Sequence, residues 1–246
     1  MKRIFPVLLL FLLLGSCQSK PQATDTSASF AASGSGTFTQ VDYDKLIEEY
    51  TKAIEQDPGN ASLYANRGNT YAAKGEYDKA IADYNEAIRL NPNDPVLYYN
   101  RGVAYDQKSD FDRAISDYTQ AIRLKSDYTE AYNNRGAAYA DKKDYDRAIA
   151  DHTQAIEIKP DYTNAYNNRG YAYRNKGDLD KAIADYDDAL KLDPNSAVAY
   201  SNRGVAYFFK GDREKAIADY ETALRLDPNN AKAQNNLEVT QQQDEQ

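Results

Sequence analysis

Residues 61–94 read ASLYANRGNTYAAKGEYDKAIADYNEAIRLNPND, and this stretch recurs along the chain at intervals of 34 residues. A fixed period of this length indicates an array of structural units that bury their apolar faces against one another. We number the positions within each copy as slots 1–34. The five complete copies predicted are residues 61–94, 95–128, 129–162, 163–196 and 197–230.

Each copy carries two stripes of apolar and small residues at helical spacing. The first stripe falls at slots 4, 8 and 11, as in Tyr64, Gly68 and Tyr71, and the second at slots 20, 24, 27 and 28. An acidic residue at slot 18 suits the first turn of a helix, and proline at slot 32 of four copies ends it. We therefore expect two antiparallel helices per copy, near slots 2–14 and 17–30, and an all-α fold.

This pattern resembles the tetratricopeptide repeat family, which has an aromatic residue at slot 4, Gly at slot 8, Tyr at slot 11, Ala at slot 20 and Pro at slot 32. The resemblance covers residues 61–230. It implies a solenoid of antiparallel helix pairs that forms a right-handed superhelix, whose first helices line a concave groove for peptides or partner proteins. The chain departs from the family at slot 7, which is Arg in all five copies, and at slot 24 of the third copy, which is His152.

The two ends of the array are predicted to be half-units. Residues 42–60 match the second helix of the unit alone, and residues 231–246 supply a lone first helix followed by a tail. Such half-units would cover the open ends of the stack, as terminal caps do in repeat proteins.

The amino terminus has the layout of an export signal. Residues 1–16 begin with two cationic side chains and continue as an apolar run that is shorter than the roughly 20 residues of a membrane span. Residues 14–17 read LGSC and resemble the bacterial lipobox, which implies cleavage before Cys17 and acylation of that residue, with palmitate expected. The alternative is an ordinary signal peptide with an accidental cysteine.

Residues 17–41 are then expected to form a flexible tether, because they are rich in Ser, Thr, Ala, Gly and Gln and lack periodicity. The lipobox resemblance implies a bacterial cell envelope location, with the protein lipid-anchored to a membrane.

Composition excludes several function classes. The chain has a formal net charge of −8, which disfavours a phosphate-neutralising surface for nucleic acid. The chain has one Cys and one His, so no second Cys or His is present to complete a zinc site, and a serine nucleophile could have only this one His as its base. His152 itself is expected to pack in the core, because it replaces a tyrosine of the repeat pattern. We predict no catalytic residue, no cofactor and no metal, and hence no enzyme.

An asparagine at slot 6 of every copy is the first candidate for partner binding. The tetratricopeptide resemblance implies that this slot faces the groove, where a row of amides could hold a peptide backbone. The alternative is that these side chains bond neighbouring helix ends. The column consists of Asn66, Asn100, Asn134, Asn168 and Asn202.

Slots 5, 9, 12 and 13, which the resemblance places in the groove, vary between copies, unlike the slots of the two stripes. They supply the second set of candidates. Paired exposed aromatics usually mark an interface, although Phe208 and Phe209 could instead pack under the last helix. This second set consists of Tyr99, Tyr171, Arg174, Phe208 and Phe209.

An arginine at slot 7 accompanies an aspartate at slot 23 in every complete copy. We predict a column of half-buried structural ion pairs, and the reading as a catalytic set is the weaker one. The pairs are Arg67 with Asp83, Arg101 with Asp117, Arg135 with Asp151, Arg169 with Asp185 and Arg203 with Asp219.

These features together predict a membrane-anchored scaffold or adaptor that binds protein or extended-peptide partners. The resemblance also leaves open an assembly factor for an envelope complex, such as a pilus secretin or outer-membrane proteins. A third possibility is a self-associating structural protein, in which terminal half-units pair to form a homo-oligomer.

Overall fold

The computed structural model describes residues 42–242. The described part of the chain holds twelve α-helices and no β-strand. The helices are α1 Tyr43–Gln56, α2 Ala61–Ala73, α3 Tyr77–Leu90, α4 Pro95–Gln107, α5 Phe111–Leu124, α6 Thr129–Asp141, α7 Tyr145–Ile158, α8 Thr163–Lys176, α9 Leu179–Leu192, α10 Ala197–Lys210, α11 Arg213–Leu226 and α12 Ala231–Gln242.

The predicted all-α fold of consecutive antiparallel helix pairs is confirmed, with about five repeats and a half-unit at each end. The described residues form two compact units, 42–138 and 139–242, whose border falls inside α6. The expected signal peptide, Cys17 and the tether lie outside the described residues.

In the first unit, α1 packs on α2, and the pairs α2–α3 and α4–α5 follow. The helix starts are set by side chains that cap free amide groups. Asn60 accepts a hydrogen bond from the backbone of Ser62 before α2, and Asp94 accepts one from Val96 before α4. Pro95 occupies the first position of α4, where its missing N–H group costs no hydrogen bond.

Close contact between the two helices of a pair depends on the glycine at slot 8. A Cβ atom built on Gly68 would lie 2.9 Å from the ring of Tyr84, and one on Gly102 would lie 2.8 Å from the ring of Tyr118. Both tyrosines are fully buried. The slot-24 tyrosine therefore occupies the space that a larger slot-8 residue would need, which explains the pairing of these two residue types.

The second unit continues the pattern with the pairs α8–α9 and α10–α11, and α12 packs on α11. Its core clusters join small and aromatic residues, such as Ala182 and Tyr186 with Ala206, or Ala216 and Tyr220 with Val205. The turn inside each helix pair requires a left-handed residue at slot 15. Glycine supplies it in three copies, whereas Ser109 and Lys143 adopt φ of 60° and 62° there.

Candidate functional site

Four of the slot-7 arginines bind the slot-23 aspartates in bidentate geometry. Arg67 donates from Nε to Asp83 Oδ2 at 2.8 Å and from Nη2 to Oδ1 at 2.7 Å. The same two bonds, at 2.7–2.9 Å, join Arg101 with Asp117, Arg169 with Asp185 and Arg203 with Asp219.

The aspartates of these four pairs are buried, and their partner arginines are about one-fifth exposed or less. Two parallel bonds to a buried carboxylate are typical of a structural pair. Arg135 and Asp151 belong to different units, and their pairing stays a prediction.

The remaining nitrogen of each slot-7 arginine reaches the preceding repeat, a contact that the sequence analysis missed. Nη1 donates to slot 25 of that repeat, which always holds a short polar acceptor. The bonds run from Arg67 to Thr51, Arg101 to Asn85, Arg135 to Thr119, Arg169 to Thr153 and Arg203 to Asp187, at 2.6–3.1 Å. A polar residue 16 positions before every slot-7 arginine was the available signal.

The asparagine column differs from the expected row of accessible amides. Asn66 is exposed and Asn202 is partly exposed, but Asn100, Asn134 and Asn168 are only 3–5% exposed. Asn100 Nδ2 donates to Asn69 Oδ1 at 3.0 Å, and Asn134 Nδ2 donates to Tyr99 Oη at 2.9 Å. The prediction that Asn100, Asn134 and Asn168 lie open to a partner is therefore wrong, because side chains of the same chain cover them.

Tyr99 is likewise a core residue and not an exposed groove residue. It is 2% exposed, and its ring centroid lies 5.0 Å from that of Tyr128 and 5.9 Å from that of Tyr118. Burial raises the pKa of both neighbouring tyrosines. Aromatic packing at slot 5 thus stabilises the first unit, and the expectation of a partner contact at Tyr99 is corrected.

The second unit holds the other candidates, Tyr171, Arg174, Phe208 and Phe209. The rings of Phe208 and Phe209 meet edge to face at 5.8 Å. Phe208 is half-buried against a cluster that includes Tyr220 and Leu237 of the last helix, whereas Phe209 is 37% exposed. Of the two interpretations of this aromatic pair, packing under α12 describes Phe208, and an exposed aromatic surface describes Phe209.

Arg174 has an unusual environment for an arginine of this protein. It is 6% exposed, and its guanidinium carbon lies 4.9 Å from the ring centroid of Tyr171. Its Nη2 is enclosed and has no hydrogen-bond acceptor among the described residues. On α11, the buried Tyr220 hydroxyl also has no hydrogen-bond partner among the described residues. Burial raises the pKa of Tyr220, and the positive charge of Arg174 opposes that rise.

His152 takes the place of the slot-24 tyrosine and is fully buried. Burial is the main reason that its pKa falls to about 3, and the nearby cation Arg169 lowers it further. Residues 42–242 contain no group of three His, Cys, Asp or Glu side chains that could hold a metal ion. Within the same residues, none of the helices combines the length and apolar character needed to cross a membrane.

Comparison with known families agrees with this architecture. Models described as "Tetratricopeptide repeat" match residues 49–82, 95–128, 129–162, 153–184 and 197–230, and a model described as "TPR repeat" matches residues 68–109 and 170–211. Together these matches run without a gap from residue 49 to residue 230. The chain belongs to the tetratricopeptide repeat family, whose members generally mediate protein–protein interaction.

Solved structures share the fold. The chain is similar to YrrB, described as a TPR protein with an unusual peptide-binding site, with 28% identity, a TM-score of 0.62, and coverage of 77% of this chain and 97% of that one. It is also similar to MamA, with 29% identity, a TM-score of 0.61 and coverage of 67% and 96%.

A tetratricopeptide repeat protein of Parabacteroides merdae is 23% identical, with a TM-score of 0.61 and coverage of 81% and 78%, and it supports the fold alone. Among curated protein sequences, none matches this chain.

Proposed function

We propose that this protein is a membrane-anchored scaffold that binds segments of partner proteins on the first-helix surface of its second unit. By first-helix surface we mean the residues at slots 5, 9, 12 and 13 of α8 and α10 that are not buried, namely Tyr171, Asn175, Phe208 and Phe209. The observation that carries the proposal is the exposed ring of Phe209 beside Phe208. Exposed aromatic side chains with a rigid neighbour are the usual anchors of protein interfaces.

The distribution of charge supports a binding role over a catalytic one. The repeated arginines and aspartates form pairs with each other, and His152 is enclosed with a pKa too low for acid–base chemistry at neutral pH. Tetratricopeptide proteins and their structural neighbours are typically not enzymes. The peptide-binding site named for YrrB favours a peptide as the occupant of a related surface.

Membrane attachment through Cys17 is part of the proposal. The order of positive start, apolar run, small residues and cysteine supports acylation of Cys17 in a bacterial envelope. Replacing Cys17 with alanine should release the protein from the membrane fraction of cells. A Cys17→Ala protein that remains in that fraction after a high-salt wash would contradict lipid anchoring.

Site-specific photocrosslinking tests the binding surface directly. A photoreactive phenylalanine analogue replaces Phe209 in one full-chain variant and Leu226 in a control variant. The two side chains are equally exposed, at 37% and 38%, but Leu226 lies at the end of α11, outside the first-helix surface. Partner proteins from the envelope should crosslink at position 209 and not at position 226. Equal yields at both positions, or none at either, would refute the proposed surface.

The masses and identities of the crosslinked products separate the related roles. A product of twice the chain's mass that contains this protein alone indicates self-association through this surface. A product that contains a subunit of an envelope complex indicates an assembly factor.

A further inference from the structure

We infer that the open face of α1 is a dimerisation surface, on which a second copy of this chain lays its own α1 antiparallel to the first. By open face we mean the side of α1 that holds slots 20, 23, 24 and 27, namely Leu46, Glu49, Tyr50 and Ala53. The inference goes beyond the proposed function, which concerns the second unit and a different kind of partner.

The first argument is a helix face that no helix of the described chain covers. In a complete repeat, slots 20 and 24 pack against the first helix of that repeat and are fully buried, as Ala80 and Tyr84 show. Among the described residues, α1 packs on α2 alone, whereas α3 lies between α2 and α4. Leu46, Tyr50 and Ala53 are each partly exposed, and α1 contains no buried residue. An apolar stripe that is core elsewhere is therefore open here.

The second argument excludes a tetratricopeptide first helix as the occupant. The two helices of a repeat approach closely, and a Cβ atom built on Gly68 at slot 8 would lie 3.3 Å from the backbone oxygen of Ala80 at slot 20. In α1, slot 20 holds the larger Leu46, which keeps such a helix at a distance. The lone first helix α12 has the exposed Glu238 at slot 8, so head-to-tail stacking of copies would bury a carboxylate against Tyr50.

The third argument is the order of charges beside the stripe. Lys45, Glu49 and Lys52 are spaced by four and three residues, so they share one flank of α1, and their side chains are 58–71% exposed. Glu49 stands at slot 23, where complete repeats pair an aspartate with arginine, and it has only a loose contact of 3.9 Å with Lys45. A two-fold axis beside Tyr50 sets Lys52 of each copy next to Glu49 of the other. Parallel pairing would instead bring like charges together.

The same axis also matches the apolar residues. It places Leu46 of one copy opposite Ala53 of the other, a large side chain against a small one, and brings the two Tyr50 rings side by side. A two-fold contact is self-complementary and closes after two copies, which fits a chain with one such face. The contact is one helix of 14 residues long, about 21 Å, so we expect a reversible dimer whose formation depends on concentration.

Thiol crosslinking in membranes of cells that express the full chain tests the geometry. A residue at the two-fold axis faces its own copy, so Tyr50→Cys should give one crosslinked dimer with a short bifunctional thiol reagent. Wild type, whose only thiol is Cys17, is the control for this product. Adding Glu238→Cys to Tyr50→Cys should give nothing larger than the dimer. A ladder of higher oligomers in the double variant would show head-to-tail stacking, and either that ladder or no dimer from Tyr50→Cys would overturn the inference.

Sedimentation equilibrium of the full chain in density-matched detergent measures the dimer dissociation constant. Leu46→Glu should raise this constant at least about 100-fold, since each dimer loses two covered leucines. The control Val198→Glu changes an apolar residue that is 39% exposed on α10, and it should leave the constant unchanged. Equal constants for the two variants, or a wild-type chain that is monomeric at every concentration, would refute the surface.

A charge exchange distinguishes a direct contact from a folding defect. Glu49→Lys should weaken dimerisation about tenfold, because both reciprocal pairs of the dimer become repulsive. Adding Lys52→Glu reverses both charges and should return the dissociation constant to within about threefold of wild type. If the second change does not restore dimerisation, the antiparallel arrangement is wrong.

Discussion

The pair of Arg169 and Asp185 allows a quantitative test of the charged framework. Asp185 has a side chain that is only 6% exposed, and it accepts bonds of 2.9 and 2.7 Å from Arg169. Burial raises the pKa of Asp185, and the guanidinium opposes that rise. The Arg169→Leu change keeps helix propensity nearly constant but leaves this carboxylate buried and alone.

Breaking a buried ion pair by removing one partner costs about 3–5 kcal/mol. The arginine side chain retains 18% exposure, so water can partly reach the pair, and we expect a loss near the lower end, about 3 kcal/mol. The loss includes the bond from Nη1 to Thr153 in the preceding helix pair. Replacing Arg169 and Asp185 together with leucine should restore more than half of the lost stability, because no uncompensated charge remains.

Urea denaturation of the full chain measures the change in the free energy of unfolding. Amide hydrogen exchange in α8 and α9 detects local unfolding, since repeat proteins can unfold in segments. The control is Arg89→Leu, whose partner is Glu86 on the surface. We expect that control to leave the free energy of unfolding close to the wild-type value, because exposed ion pairs contribute little. The reasoning fails if both single variants lose equal stability, or if the double variant is less stable than Arg169→Leu.

Two further predictions concern residues that depart from the repeat pattern. The pKa of His152 is about 3 in the folded protein, against roughly 6.5 in the unfolded chain, so between these values the unfolded chain binds the extra proton and stability falls as pH falls. Between pH 7 and pH 5, the free energy of unfolding of His152→Tyr should therefore fall by about 2 kcal/mol less than that of wild type. Superimposable profiles of unfolding free energy against pH would contradict this. Ser109→Gly and Lys143→Gly should each gain about 0.5–1 kcal/mol, because both residues adopt the left-handed conformation that glycine favours. An unchanged or lower urea midpoint in both variants would show that backbone strain at slot 15 is negligible.

The sequence predicted most of the fold because repetition reveals which positions are constrained. A glycine and a tyrosine that recur 16 positions apart indicate a close helix contact, and the Cβ distances at Gly68 and Gly102 show why slot 8 does not accept a larger residue. The arginine and aspartate at slots 7 and 23 were predictable as partners for the same reason. Their direct bonds are now described for four of the five pairs.

The tertiary structure decided which side chains are accessible. Asn66 and Asn100 occupy the same slot, yet the first is exposed and the second is buried, because Asn69 covers and bonds the amide of Asn100. Slot periodicity places a residue on a helix face, but exposure depends on the size and polarity of the side chains that the neighbouring helix contributes there.

The sequence by itself determined that this chain forms paired helices joined by repeated contacts, because helix periodicity and small-residue spacing are local properties. Only the packed structure showed which arginines meet a carboxylate, since an ion pair requires two side chains that are distant in sequence to come together. Arg169 meets Asp185, whereas Arg174 meets the ring of Tyr171 and no carboxylate among the described residues. That difference arises from the positions of side chains across helices, which spacing along one helix does not specify.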